Sequence, residues 1–307
     1  MTTVTKLTST NHAAVAGGTE TPVRIRPGAL AAQFESLAAA AAATIAESEP
    51  VCDEVLGRFV GLASRIRSTS FHEGRLLEQG LLAIASTHPD LLVLSQGLRL
   101  PIVPAALEAL KANDWKTLEG LSFDAGARSR QCYTPDLIIV NRRKRTALVI
   151  DLKRSLASYG DTNRMDALTL KMMAAALVVP DWLYKEHKRI AVDAVGIAII
   201  DGASRPSAHD KGVWALSEID ALLEIEGAAA AMNDLRDRFA VRVRKILAET
   251  AREALGLGSA SMQADAVQAE TDEHSDPVDE EMEEPAARRV ITFGLAARPQ
   301  RALRIAH

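Results

Sequence analysis

Residues 132–155 read CYTPDLIIVNRRKRTALVIDLKRS. Residues 137–140 (LIIV) and 146–150 (TALVI) are aliphatic and β-branched, and the NRRKR block between them has no apolar residue. This pattern predicts a β-hairpin with a solvated basic turn. Side chains alternate along a strand, so Val149, Asp151 and Lys153 share one face, and Ile150 and Leu152 share the other, buried one. In an antiparallel hairpin the start of the first strand lies beside the end of the second. Asp136 is therefore expected near Asp151, at the end away from the turn.

Two carboxylates and a lysine on adjacent strands suit metal-dependent cleavage of a phosphodiester. Mg²⁺ takes carboxylate and phosphate oxygens and keeps several waters. Two adjacent carboxylates are costly when both are ionised, and a divalent cation removes that cost. The cation can activate and orient water, while Lys153 supplies a compact positive charge near the phosphate. A plainer reading competes: Asp136 as a turn residue, and Asp151 with Lys153 as a surface ion pair. Asp151 interrupts an apolar run where a charge has no packing role, which favours the site.

Pro135, Asp136, Asp151 and Lys153 resemble the signature of the PD-(D/E)XK nuclease superfamily. The resemblance implies an α/β fold, a restriction endonuclease-like α-β-β-β-α-β core with a mixed sheet. It also implies a helix glutamate near the metal. The matching first helix is FHEGRLLEQGLLAIAS, residues 71–86, where Glu78 follows Gly74 by four and Glu73 is the other candidate. The strands are then residues 91–95, the hairpin and residues 191–201, with an insertion at 101–130 in which Pro104 starts a short helix. The second core helix runs from Asn163 to Pro180. By resemblance, Asp136, Asp151 and Glu78 hold Mg²⁺ or Mn²⁺, and Lys153 assists catalysis. Arg164 and Lys171, two turns apart on the second helix, and Arg154 are candidate DNA contacts.

The chain has 307 residues, 48% hydrophobic and only 4% aromatic. Abundant alanine favours helices packed through small side chains, and the scarcity of aromatics argues against a single-strand binder built on stacking rings. The net charge is −4, but it is unevenly spread: residues 124–154 carry a net +5 and residues 271–284 a net −8. A basic cluster beside the proposed site suits phosphate binding. Arg142, Arg143, Lys144 and Arg145 lie roughly 16 Å from Asp136 at about 3.3 Å per strand residue. They either grip flanking DNA or form a solvated turn. Cys52 and Cys132 have no metal-site spacing and suggest no disulfide framework, so a reducing cytoplasm is expected. No charge-free apolar run is long enough for a membrane span, and residues 1–18 lack the apolar block of a secretory signal. Phosphate-loop, HExxH and GxSxG motifs are absent from the sequence.

Around the core, residues 1–28 read as a disordered N-terminus and 29–70 as a helical lobe of two helices separated at Pro50. Residues 71–201 are the nuclease-like core and 202–256 a C-terminal helical extension. Ser217 is expected to cap its first helix, and Leu235, Phe239, Val243 and Leu247 give the last one an apolar side. Residues 257–287 read as an acidic disordered linker, and 288–307, with five arginines and no acid, as a basic tail.

The leading expectation is a Mg²⁺-dependent deoxyribonuclease in the cytoplasm, with DNA as partner and no membrane association. The basic tail offers a route to a homodimer or a partner protein. A second reading is a catalytically silent DNA-binding or assembly protein on the same fold, from a bacterial plasmid, phage or defence system. A third is a helical adaptor with an accidental PD/DxK pattern, which would have almost no strand.

Overall fold

The hairpin of residues 137–153 lies within a mixed five-stranded sheet. The computed structural model describes residues 23–257, apart from 51, 119, 160–161 and 204. The expected basic tail, most of the disordered N-terminus and all of the acidic linker except Leu257 lie outside the described residues.

In chain order the elements are β1 (Val23–Arg24), α1 (Ala31–Glu47), α2 (Val60–Ala85), β2 (Leu91–Leu94), β3 (Leu100–Pro101), α3 (Pro104–Ala112), β4 (Cys132–Tyr133), β5 (Leu137–Asn141), β6 (Thr146–Lys153), α4 (Thr162–Ala176), α5 (Val179–Glu186), β7 (Ala194–Asp201), β8 (Val213–Ala215), α6 (Ile219–Leu223), β9 (Ile225–Glu226) and α7 (Ala228–Leu255). The sheet order is β2-β5-β6-β7-β8. The pairs β2/β5 and β5/β6 are antiparallel, and β6/β7 and β7/β8 are parallel. The chain is thus α/β, and the sheet excludes the all-helical reading.

Both faces of the sheet are covered, which explains the nearly unbroken apolar runs of β5 and β6. Leu137, Ile139, Ile150 and Leu152 pack with Leu77, Leu81, Phe34 and Leu235 from α2, α1 and α7. Ile138, Val140, Ala147 and Val149 face Met172, Ala175 and Leu183 of α4 and α5. Truncating one of these fully buried aliphatics to alanine costs about 2–5 kcal/mol. The lobe, core and extension expected as successive domains share the first of these apolar layers. Residues 23–257 accordingly belong to one compact unit.

Several boundaries differ from expectation. No break separates the lobe from the core, because α2 runs without interruption from Val60 to Ala85. The Arg67–Ser70 stretch holds no helix breaker, and Thr69 and Ser70 return their hydroxyls to the carbonyls of Arg65 and Ile66, 2.8 and 3.3 Å away. The second core helix stops at Ala176 rather than Pro180. Pro180 is the second residue of α5, in the first turn, where its missing N–H costs nothing, and the two helices are bent by 50°. Residues 213–215 extend the sheet as β8, and β9 pairs with β1. Ser217 makes no capping hydrogen bond to α6, since it lies inside a 3₁₀ turn before that helix. Asp220 instead accepts the N–H groups of Gly227 (2.8 Å) and Ala229 (2.6 Å) at the start of α7. Among the described residues, no single helix is long and apolar enough to cross a membrane.

Candidate active site

The register Leu137↔Ile150 puts the residue before β5 beside the last residues of β6. Asp136 continues the ladder by donating its N–H to the Ile150 carbonyl (3.0 Å). Its Oδ2 accepts the Leu152 N–H at 2.6 Å, which fixes the carboxylate at the strand end. Pro135 is buried just ahead of it.

Asp151 is only 4% exposed, on the face shared with Val149. Its Oδ2 accepts a 2.7 Å hydrogen bond from the Tyr133 hydroxyl, and its Oδ1 is ion-paired with Nζ of Lys153 two residues on. A buried carboxylate needs such partners, because its desolvation is otherwise unpaid.

Glu78 comes from α2. Burial, and then the charge of Asp136, push its carboxyl above the usual range, while Arg75 and Lys153 pull it back. Asp136 is also raised, chiefly by burial, against the opposing Leu152 hydrogen bond and with added repulsion from Asp151. The three acids therefore share one electrostatic neighbourhood with Lys153. Glu73 has other partners: it pairs with Arg154 (3.6 Å) and with Arg236 of α7 (3.4 Å). The two glutamates are five residues apart and point about 140° apart around the helix.

Two further residues hold the end of β6, and neither stood out in the sequence. Asp201, fully buried at the end of β7 opposite Lys153, accepts the N–H groups of Leu156 and Ala203, both at 3.1 Å. Gly202 donates to the Lys153 carbonyl at 2.7 Å. A Cβ there would meet the Arg154 carbonyl at 2.9 Å and the Lys153 carbonyl at 3.1 Å, so only glycine allows this approach. The available signal for Asp201 was the pattern IAIID, an acid closing an apolar strand as Asp151 does. For Tyr133, its closeness to Pro135 was the only hint.

The other candidates are dispersed. Arg164 and Lys171 are exposed on α4. At the hairpin turn, Arg143 pairs with Asp90 (3.4 Å), Lys144 with Glu224 (2.5 Å), and Arg145 bidentately with Asp193 (2.8 Å). Arg142 is exposed and donates its backbone N–H to the Asp90 carbonyl at 2.9 Å. Three of the four turn cations are thus met by acids of the same chain.

Among the described residues, no three His, Cys, Asp or Glu side chains form a ready-made metal cage. The donor chemistry nevertheless fits a hard cation. Asp136 and Asp151 are oxygen donors from neighbouring strands, Glu78 is a third nearby, and mutual repulsion is what a divalent charge relieves. Cys52 and Cys132 are both free and exposed. Comparisons with family models, curated proteins and solved structures find no match to this chain.

Proposed function

We propose that the chain is a metal-dependent nuclease of the PD-(D/E)XK type, hydrolysing DNA phosphodiester bonds on a restriction endonuclease-like core. The observation that carries this reading is the convergence of Asp136, Asp151 and Lys153 at one end of β5 and β6, with Glu78 of α2 in the same electrostatic field. The element order α2, β2, β5, β6, α4, β7 supports the fold assignment.

Asp136 and Asp151, with Glu78 alongside, would hold Mg²⁺ or Mn²⁺, which when bound supplies Lewis-acid stabilisation and an activated water. The chain's own groups do the remaining work. Lys153, partly exposed and anchored by Asp151, offers its ammonium to a phosphate oxygen or to the attacking water. Tyr133 orients Asp151 through Oδ2. The Leu152 N–H orients Asp136, and Asp201 with Gly202 keeps the β6 terminus in place.

One observation favours a second reading, a silent DNA-binding or assembly protein: both oxygens of Asp151 already have partners within the chain. The deciding experiment is cleavage of linear, nicked, branched and single-stranded DNA with Mg²⁺ or Mn²⁺, using wild type, Asp151→Ala and Lys153→Ala. The nuclease reading expects cleavage by wild type, and binding without cleavage by both variants. Binding without cleavage by wild type in either metal would overturn it in favour of the silent protein.

A further inference from the structure

We propose that the outer face of α2, formed by Phe71, Gly74 and Arg75, seats one unpaired DNA base beside the Glu78 end of the site. The inference rests on the nuclease reading and narrows its substrate to DNA with a frayed, flapped or single-stranded nucleotide at the cleavage point.

Positions 71, 75 and 78 follow the i, i+4, i+7 spacing of one helix face. Phe71 is therefore about 10 Å from Glu78 along the axis, at about 1.5 Å per residue. Phe71 is 61% exposed, although a helix of this length has ample buried face to take an aromatic ring. It is also held in place: the Arg75 guanidinium lies 5.8 Å from its ring centroid, and the His72 ring meets it edge-on at 5.3 Å. An exposed, oriented ring beside a guanidinium matches a base with its phosphate, through stacking and charge respectively. Arg75 and Glu78 are three residues apart on the same helix and so are neighbours on its surface, which joins the patch to the site.

Gly74 is the independent observation. Glycine is among the worst residues for a helix interior, yet a Cβ here would meet nothing within 4 Å. The contrast is Gly80 on the same helix, where a Cβ would come within 2.5 Å of Leu235 and packing explains the glycine. Packing does not explain Gly74. It leaves open space over the helix surface between Phe71 and Glu78, where a planar base can lie. One ring serves one base, so the low aromatic content of the chain is no obstacle.

The test uses the full chain in EDTA, where binding is read without cleavage. The probes are oligonucleotides carrying 2-aminopurine: a duplex with that base as an unpaired overhang, and a blunt duplex with it paired. Wild type is expected to bind the overhang about tenfold more tightly, with quenching of the unpaired base, an effect typical of one base stacked on one ring. Phe71→Ala should remove the preference and the quenching while leaving blunt-duplex affinity unchanged, and Phe71→Trp should keep both. Gly74→Ala should raise Tm and yet remove the preference, a pair of effects that a purely structural glycine would not produce. If wild type cleaves DNA but these variants keep the preference, the base seat is wrong and the nuclease reading stands. If wild type binds neither duplex, the nuclease reading fails and the base seat with it.

Discussion

The Tyr133 hydroxyl donates a 2.7 Å hydrogen bond to Oδ2 of Asp151, joining the short strand β4 to the strand that carries the proposed catalytic acid. Both residues are buried, so the bond is shielded from water. A hydrogen bond to a charged partner contributes about 1.5–3 kcal/mol. Tyr133→Phe should lower unfolding free energy by roughly that amount. It should also reduce cleavage through misplacement of Asp151, with DNA affinity retained. Chemical denaturation and a cleavage assay check both effects.

Glu78 and Asp136 both hold their protons to higher pH in the folded chain than in the unfolded one, because of burial and neighbouring carboxylates. The folded state then binds more protons between the two values, so stability falls as pH rises through that window. Below the unfolded carboxyl range the penalty is absent. Asp136→Asn keeps an oxygen for the Leu152 N–H while removing the charge. It should raise Tm at neutral pH, lose that advantage in acid, and abolish activity. Thermal melts from pH 3 to pH 8 test the sign.

Lys153 compensates Asp151 inside the protein. Lys153→Ala should lower cleavage roughly 10²–10³-fold, as the loss of one transition-state electrostatic partner does. It also strips a buried carboxylate of its cation, which is strongly destabilising. Adding Asp151→Asn to Lys153→Ala should recover stability but not cleavage. A double-mutant cycle on denaturation and activity separates the two roles.

Gly202 has carbonyl oxygens of Arg154 and Lys153 where a Cβ would go. Gly202→Ala must shift the end of β6. Overpacking of this kind costs about 1–3 kcal/mol. The catalytic penalty should exceed that of Leu92→Ala, which thins the same sheet far from Lys153. Comparing kcat with Tm for the pair shows whether the glycine positions the lysine.

The turn cations Arg143, Lys144 and Arg145 have acidic partners at 2.5–3.4 Å, whereas Arg154, which adjoins Lys153, has a looser pair with Glu73 at 3.6 Å. Neutralising the three turn residues together should leave the salt dependence of DNA binding unchanged. Arg154→Ala should lower its slope by about 0.9, the loss of one phosphate contact. Affinity measured across a salt series distinguishes the two surfaces.

How far the sequence could be read depended on the range of the interactions. The hairpin was legible because strand alternation and a polar turn are local, and its register alone carries Asp136 to Asp151. The apolar stripe of α7 was legible for the same reason: Leu235, Phe239 and Val243 are all buried. The end of α4 was not, because Pro180 can close one helix or open the next, and only packing against the sheet chooses.

By itself the sequence determined which residues could form strands and helices, and it placed two acids and a lysine at one hairpin end. The tertiary structure gave Glu73 and Glu78 different surroundings: α2 pairs Glu73 with Arg236 and Arg154, and puts Glu78 where the charge of Asp136 acts on it. It also supplied Tyr133, Asp201 and Gly202 as supports of the site, and it joined the lobe and extension to the core. Those contacts link residues far apart in the chain, so no local periodicity encodes them. They exist because two-sided burial of one sheet brings distant segments together around it.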